Sequence, residues 1–175
     1  MRKIIVPIFL ILIFLCSCSG KSETAGDCVN KANALWNGKE FTEPQKAIEY
    51  LNKAIKLQTN NAETYSMRGN VYSSIGKNQL AIDDFSKAIK LNPTNADYFN
   101  NRGSIYNKLG QYQQAIEDFD EAILFDSNVA TFYNNRAAVH LKHGDKKIGC
   151  LDVQKACALK YCDALEWAKK EGYCR

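Results

Sequence analysis

The sequence contains no block of like charge. Its 23 Lys and Arg residues are spread among 19 Asp and Glu residues, which gives a formal net charge of +4 at pH 7. Nucleic-acid binding depends on clustered cations that neutralise phosphates. No such cluster is present, so the sequence predicts no nucleic-acid partner.

The sequence also lacks a hydrophobic run long enough to cross a membrane as a mature helix. The longest apolar stretch covers residues 4–15 and is interrupted by Pro7, whereas a spanning helix needs about 20 apolar residues. Arg2 and Lys3 precede this stretch, and small residues follow it. A basic start, a short apolar run and small residues are typical of a secretory signal peptide.

No catalytic or metal-binding spacing is present either. The sequence has no phosphate-binding loop, no nucleophile motif, no paired-carboxylate constellation and no C-x-x-C or H-E-x-x-H spacing. The two histidines, His140 and His143, lie near Cys150 and Cys157, but they occupy a core position and a pre-turn position of the repeat described below. We therefore expect no enzymatic activity, no cofactor and no metal site.

The apolar run ends in Leu15-Cys16-Ser17-Cys18, which resembles the lipobox of bacterial lipoproteins. The resemblance implies a signal peptide over residues 1–17 and acylation of the Cys18 thiol after cleavage. Cys16 fits less well, because bulky Leu15 would then stand next to the cut. An ordinary signal peptide with incidental cysteines is the alternative.

The lipobox resemblance also implies a location. Several acyl chains on one residue make membrane anchoring effectively permanent, and residues 18–26 are predicted to be the lipidated N-terminus and a flexible tether. The implied location is the bacterial cell envelope, at the periplasmic face of the outer membrane or at the cell surface.

A 34-residue period runs through the remaining chain. Its first half repeats an aromatic residue and an arginine, and its second half repeats small and bulky apolar residues. The repeated positions are Tyr65, Phe99 and Tyr133; Arg68, Arg102 and Arg136; Ala81, Ala115 and Gly149; Phe85, Phe119 and Val153; and Ala88, Ala122 and Ala156. A fixed period of this length indicates one supersecondary unit that is copied and stacked.

Each unit is predicted to contain two helices. Tyr65, Gly69 and Tyr72 fall at i, i+4 and i+7, on one helical face. Gly69 and its counterpart Gly103 have no side chain, so we expect them to let the second helix approach closely. Gly76, Gly110 and Gly144 fall where the first helix must end and turn.

This order of aromatic, small and aromatic residues, followed by Ala, Phe, Ala and Pro93, resembles the tetratricopeptide repeat. The resemblance implies an all-α helical-hairpin solenoid of about four repeats with a C-terminal capping helix. Two strong repeats are predicted, with a degenerate repeat before them and a divergent repeat and a cysteine-containing cap after them. The strong repeats are residues 62–95 and 96–129, and the degenerate repeat is 27–61. The divergent repeat is 130–160, and the cap is 161–175.

The repeated arginines suggest a basic binding row, but each has an acidic counterpart. Asp84, Asp118 and Asp152 each follow one of the three arginines by 16 residues. In a helical hairpin these positions face each other. We therefore predict a structural ion pair inside each unit, which orients the helices more than it stabilises them.

Four cysteines lie near the C-terminus: Cys150, Cys157, Cys162 and Cys174. Disulfides are the default in an oxidising compartment, and four cysteines allow three connectivities. Residues 163–171 read as a short helix that runs antiparallel to the last repeat helix, which favours Cys157–Cys162 and Cys150–Cys174. Cys28 has no evident partner, so it is predicted to be buried or to pair between chains.

In tetratricopeptide proteins the first helix of each unit lines a groove. The resemblance implies that the groove residues here are Glu63, Ser66, Asn70, Ser73, Asp97, Asn100, Asn101, Ser104, Asn107, Thr131, Asn134, Asn135, Leu141 and Lys142. Side-chain amides both donate and accept hydrogen bonds, so they can hold an extended peptide. A merely solvated face is the alternative.

Together these features predict a membrane-anchored scaffold or adaptor that binds a protein or peptide in its groove. Two alternatives remain open. One is a lipoprotein that binds a small ligand such as a glycan or a peptidoglycan fragment. The other is a structural module that assembles with copies of itself.

Overall fold

A computed structural model describes residues 22–174, and within this range the chain forms nine α-helices. The helices are α1 (Ala25–Asn33), α2 (Pro44–Leu57), α3 (Ala62–Ser74), α4 (Asn78–Leu91), α5 (Ala96–Lys108), α6 (Tyr112–Phe125), α7 (Ala130–His143), α8 (Lys146–Ala158) and α9 (Asp163–Lys170). None of the helices in the described range has the length and apolarity that membrane crossing requires. The predicted signal peptide and Cys18 lie outside the described residues.

The helices pack in sequence order. Four antiparallel pairs, α1–α2, α3–α4, α5–α6 and α7–α8, form hairpins, and each hairpin packs on the next. The first helices of neighbouring hairpins also touch, α3 with α5 and α5 with α7, while α9 packs on α8. This arrangement confirms the predicted all-α solenoid.

Small residues and phenylalanines form the interface within the two middle hairpins, α3–α4 and α5–α6. Phe85 and Phe119 are completely buried. A Cβ atom added at Gly103 would lie 3.0 Å from the Phe119 ring and 3.1 Å from the Ala115 carbonyl oxygen. The missing side chain therefore lets α5 and α6 approach closely, as the recurrence of glycine in the repeat predicts.

The repeated arginines make bidentate ion pairs with the repeated aspartates. In each unit the arginine Nε and Nη2 atoms donate to the two carboxylate oxygens of the aspartate 16 residues later, at 2.7–2.9 Å. The aspartates are buried at the hairpin interface. The predicted structural pairing is confirmed in all three units.

A further contact extends each arginine into the preceding unit. Its Nη1 atom donates to a side chain 16 residues earlier: Asn52 for Arg68, Ser86 for Arg102 and Asp120 for Arg136. Each arginine therefore contacts three helices. It fixes the angle inside one hairpin and also the position of that hairpin on the previous one.

Burial shifts the pKa values of Arg102 and Asp118, the ion pair of the third hairpin, in opposite directions. Desolvation raises the pKa of the Asp118 carboxyl, because it outweighs the opposing effect of Arg102. Burial, the largest single effect on Arg102, would lower its pKa, but the hydrogen bonds to Asp118 together with the charge interactions with Asp118 and Tyr106 outweigh it and raise this pKa. The pair therefore orients α5 and α6 while adding little net free energy to folding.

We expect Arg102→Ala to lower the free energy of unfolding by about 2–4 kcal/mol, because it leaves the buried Asp118 carboxylate without its partner. Urea unfolding followed by circular dichroism measures this change. Lys108→Ala, at an exposed position on the same helix, should change stability by less than about 0.5 kcal/mol. Equal losses in the two variants would contradict the structural role of the ion pair.

The C-terminal helix α9 closes the last repeat. Ala168 is fully buried against Ala137, Leu141 and Val153. Two disulfides, Cys157–Cys162 and Cys150–Cys174, join α8 to the segment that carries α9, which is the pairing that the sequence favours. Within the described residues Cys28 is the free cysteine, and it is buried in the first hairpin.

We expect the longer disulfide to stabilise the cap more than the shorter one. The residues that each bond joins are separated by 24 positions for Cys150–Cys174 and 5 for Cys157–Cys162. Chain entropy then gives losses of about 3.5 and about 2 kcal/mol when each pair is replaced by alanine. Urea unfolding of the two double variants compares their losses in free energy of unfolding. Hydrogen exchange in these variants should show that α9 opens faster than α5. A greater loss in the Cys157/Cys162 variant would contradict this account.

Part of the predicted tether takes part in the first hairpin. Thr24 caps α1 by accepting a hydrogen bond from the Asp27 backbone N–H, and α1 begins at Ala25. Glu23 bonds to Lys31 on α1 and Lys53 on α2, and these hydrogen bonds lower the pKa of Glu23 to about 2. Residues 23–26 therefore belong to the first hairpin, and the prediction that they are a flexible tether is wrong.

Candidate partner-binding face

The first helices of the hairpins and α9 contribute to one face, which we call the first-helix face. Two of its clefts are lined by residues from more than one helix. The N-terminal cleft has a volume of about 510 Å³ and the C-terminal cleft about 320 Å³. The N-terminal cleft is lined by Asn33, Trp36, Lys39, Phe41, Glu63, Met67, Asn70, Ser73, Ser74 and Lys108. The C-terminal cleft is lined by Asn134, Ala138, Leu141, Lys142, Val153, Tyr161, Asp163, Ala164 and Trp167.

The predicted groove residues divide between these clefts and the surface that joins them. Asn70 and Ser73 line the N-terminal cleft, and Asn134 lines the C-terminal cleft. Asp97 and Asn107 lie on α5 between them. Among residues 22–174, the side chains of Asn70 and Asn134 make no hydrogen bond, so their amides are available to a partner.

Three of the predicted asparagines bind one another. The Asn135 Nδ2 atom donates to Asn100 Oδ1 at 2.8 Å, and Asn100 Nδ2 donates to Asn101 Oδ1 at 3.4 Å. Ser104 Oγ also donates to the Asn100 carbonyl oxygen at 2.9 Å. The side chains of Asn100 and Asn135 thus join α5 to α7 and are already engaged within the fold.

Two predicted groove residues are buried, and their assignment as exposed lining residues is wrong. Ser66 is 5% exposed, although Asn100 and Asn134 at the same repeat position are partly exposed. Serine is shorter than asparagine and does not reach past the neighbouring side chains. Leu141 is 2% exposed, because α9 packs over it, and it only backs the C-terminal cleft.

The most exposed aromatic residue of the N-terminal cleft, Trp36, is not among the predicted groove residues. Trp36 lies in the connection between α1 and α2, which spans residues 34–43, whereas residues 75–77 and 109–111 suffice in the next two hairpins. The extra length forms a small turn in which Trp36 and Phe41 face each other across an antiparallel bridge. The unusual length of this connection can be recognised in the sequence. Its length alone does not show which of its side chains line the cleft.

Local hydrogen bonds define this turn. Asn37 Oδ1 accepts from the backbone N–H groups of Lys39 and Glu40, at 2.9 and 2.8 Å. Gly38 has φ +91°, a left-handed conformation that favours glycine. The ring centroids of Trp36 and Phe41 lie 5.0 Å apart.

The charges in the N-terminal cleft are unequal. Glu63 accepts a hydrogen bond from the Tyr98 hydroxyl at 3.1 Å. Burial, together with the charge of Glu63, raises the pKa of Tyr98 to about 12. Lys39 and Lys108 make no ion pair with any described residue, so the cleft presents two cations and one carboxylate that is already hydrogen-bonded.

The C-terminal cleft is bounded by the disulfide-linked cap. Tyr161 and Trp167 are each 41% exposed, and the Trp167 ring lies 5.5 Å from that of Tyr173. Both disulfides join the segment that carries these aromatics to α8. This wall of the cleft is therefore held by covalent bonds.

The two histidines pack within the fold. His140 is buried, and its Nδ1 atom has no hydrogen-bond partner among the described residues. The His143 ring stacks on Tyr112, with centroids 3.8 Å apart. Across residues 22–174 no group of three His, Cys, Asp or Glu residues is arranged to hold a metal ion.

Family models match the chain in three segments. The model described as TPR repeat matches residues 69–110, and models described as Tetratricopeptide repeat match residues 96–129 and 28–61. Together these segments cover more than half of the chain. No curated protein matches the chain at a significant level by sequence.

Solved structures share the fold. The crystal structure of MamA has a TM-score of 0.73 and 25% identity, and the match covers 79% of each chain. The TPR domain of Arabidopsis OM64 has a TM-score of 0.63 and 25% identity, over 67% of this chain and 95% of that one. YrrB, described as a TPR protein with an unusual peptide-binding site, has a TM-score of 0.69 and 24% identity, over 85% and 79%.

Proposed function

The chain belongs to the tetratricopeptide repeat family, and on this premise we propose that it is a protein-interaction module. Its partner would be an extended segment of another protein, bound along the first-helix face. The observation that carries this proposal is the pair of clefts on that face. Each contains an asparagine amide, Asn70 or Asn134, that makes no hydrogen bond within the described residues.

The distribution of polar groups supports recognition of a peptide backbone. The three repeated arginines are engaged by aspartates inside the fold, so they do not offer a row of charge to a partner. The groups left on the surface include neutral amides, which donate and accept equally. An extended peptide presents alternating N–H and C=O groups that such amides can bind. The shared fold adds support, because in YrrB it carries a peptide-binding site.

The proposal includes a membrane anchor at Cys18, which the lipobox resemblance implies. Glu23, which is bonded to α1 and α2, follows Cys18 by five residues. Five residues reach at most about 18 Å even when fully extended. A lipidated Cys18 would therefore hold the first hairpin, and with it the N-terminal cleft, close to the membrane of the bacterial cell envelope.

Such an anchor would act through effective concentration. A partner in the same membrane or envelope space would meet the cleft at a local concentration far above its average concentration. A groove of modest affinity would then suffice to capture it. This combination describes an adaptor or assembly factor at a membrane surface.

We expect a photo-crosslinking amino acid at Asn70 to trap a specific protein in cells, because Asn70 faces the N-terminal cleft. The same amino acid at Glu117, an exposed position on the second helix α6, is the matched control and should trap nothing in common with it. Mass spectrometry of the products identifies what was captured.

The identity of the product also separates the alternatives. Capture of a glycan alone would favour the ligand-binding lipoprotein, and capture of a second copy of this chain would favour self-assembly. Identical products from Asn70 and Glu117 would contradict binding along the first-helix face.

We expect Cys18→Ala to abolish lipid attachment, because the thiol of Cys18 is the predicted acceptor. Cells grown with an alkyne-bearing fatty acid should label the native protein and leave this variant unlabelled and in the aqueous phase of a detergent partition. Cys16→Ala is the control, and it should retain label. Loss of label only in the Cys16 variant would place the anchor at the other cysteine.

A further inference from the structure

The N-terminal cleft contains a feature that the repeat itself does not supply. Trp36 and Phe41 come from the long α1–α2 connection, and the corresponding connections at 75–77 and 109–111 contain no aromatic residue. The later hairpins therefore have no equivalent of this aromatic pair. The feature is specific to the first unit.

The turn that carries Trp36 is fixed to the hydrophobic core. Leu35 and Phe41 pack against the buried cluster that contains Leu51 and Val71. The backbone N–H of Thr42 also donates to the Leu35 carbonyl oxygen at 2.9 Å. Trp36 is thus held on a rigid base while 46% of its surface stays exposed. A large aromatic residue held in this way is typical of the anchor points of binding sites.

The rest of the cleft indicates what would bind there. Met67 adds a flexible apolar wall that adapts to an apolar side chain. Asn33 and Asn70 border it with amides that make no hydrogen bond among residues 22–174. Lys39 and Lys108 contribute two cations, and the one carboxylate, Glu63, is bonded to Tyr98. The cleft therefore combines an apolar floor with an excess of positive charge.

We infer that the N-terminal cleft is the specificity subsite for an aromatic side chain of an extended peptide in which acidic residues flank that side chain. This inference rests on the proposed function and names the chemistry of its partner. The aromatic side chain would contact Trp36 and Met67, and the flanking carboxylates would pair with Lys39 and Lys108. Asn33 and Asn70 would hold the peptide backbone between them.

The volume and the charge of the cleft favour this occupant. Its volume of about 510 Å³ falls in the range of sites that bind small molecules, so it has room for an aromatic side chain together with part of its flanking residues. A neutral sugar could stack on Trp36 and accept hydrogen bonds from the two lysines, but it would leave their charges unpaired. An acidic aromatic peptide uses both features, and electrostatic complementarity of this kind gives specificity.

Fluorescence polarisation of labelled heptapeptides with the full-length protein tests the inference. The central residue is Phe, Leu or Ser, and the flanking residues are Glu, Ser or Lys. We expect the Phe-centred, Glu-flanked peptide to bind about tenfold more tightly than its Ser-centred or Lys-flanked counterparts. Trp36→Ala should remove the preference for Phe. Trp167→Ala, an exposed tryptophan in the other cleft, is the matched control and should leave both preferences intact.

The two lysines allow an independent test that leaves the hydrophobic turn unchanged. Lys39 and Lys108 are exposed, so Lys39→Glu combined with Lys108→Glu should fold normally. This variant should bind the Lys-flanked peptide in preference to the Glu-flanked one and keep the preference for Phe. Circular dichroism of each variant verifies that the helices remain.

Three results would overturn the subsite. They are absence of binding by the Phe-centred, Glu-flanked peptide, equal binding of Ser-centred peptides, and equal losses in the Trp36 and Trp167 variants. Any of these, combined with continued capture of a protein from Asn70 in cells, would leave the proposed function standing and reject this specificity. Loss of capture from Asn70 would reject the proposed function itself.

Discussion

The rest of the structure depends on the arginine that recurs every 34 residues. Each of these guanidinium groups contacts three helices: its own, the second helix of its hairpin through a bidentate aspartate, and the second helix of the preceding hairpin. Because the fork of donors is planar and rigid, it fixes two interhelical relations at once. Hydrophobic packing around Phe85 and Phe119 supplies the free energy of burial, but it has no direction of its own. The hydrogen bonds of the arginines are directional, so they fix the orientation of each hairpin relative to the preceding one.

This constraint also determines which groups remain for binding. The strongest charges of the repeat are engaged inside the fold, and a further set of amides is engaged between α5 and α7, where Asn135 donates to Asn100. On the first-helix face, polar side chains without a hydrogen bond among residues 22–174 remain at both ends, and Asp97 and Asn107 remain between them. Asn70 lies at one end and Asn134 at the other, each beside exposed aromatic side chains. At the centre of the face the amides of Asn100 and Asn135 hold α5 and α7 together, and the two clefts beside the exposed aromatic side chains are where we propose that a partner binds.

The periodic part of the molecule could be predicted from the sequence, because each repeated residue meets nearly the same surroundings in every unit. The helix pairs, the close approach at Gly103 and the Arg102–Asp118 pair all follow from the period. The remainder depends on properties that a period does not encode. Ser66 shares its repeat position with Asn100, yet it is buried because its side chain is shorter. The contact from Arg102 to Ser86 crosses between units, and the geometry inside one unit does not reveal it.

The departures from the period lie in its first and last units, and they differ in physical origin. The last unit of a solenoid has one neighbour instead of two, so part of its hydrophobic surface would remain exposed. There α9 covers Leu141 and is held by two disulfides. In the first unit the lengthened α1–α2 connection turns back toward the second hairpin, and Phe41 packs against the core cluster that contains Leu51 and Val71. Each departure adds a non-repeated tryptophan beside the first-helix face, Trp36 in the first unit and Trp167 after the last. The clefts that distinguish this chain from a regular array of repeats therefore arise where the period is broken, and we expect the specificity of binding to be determined there.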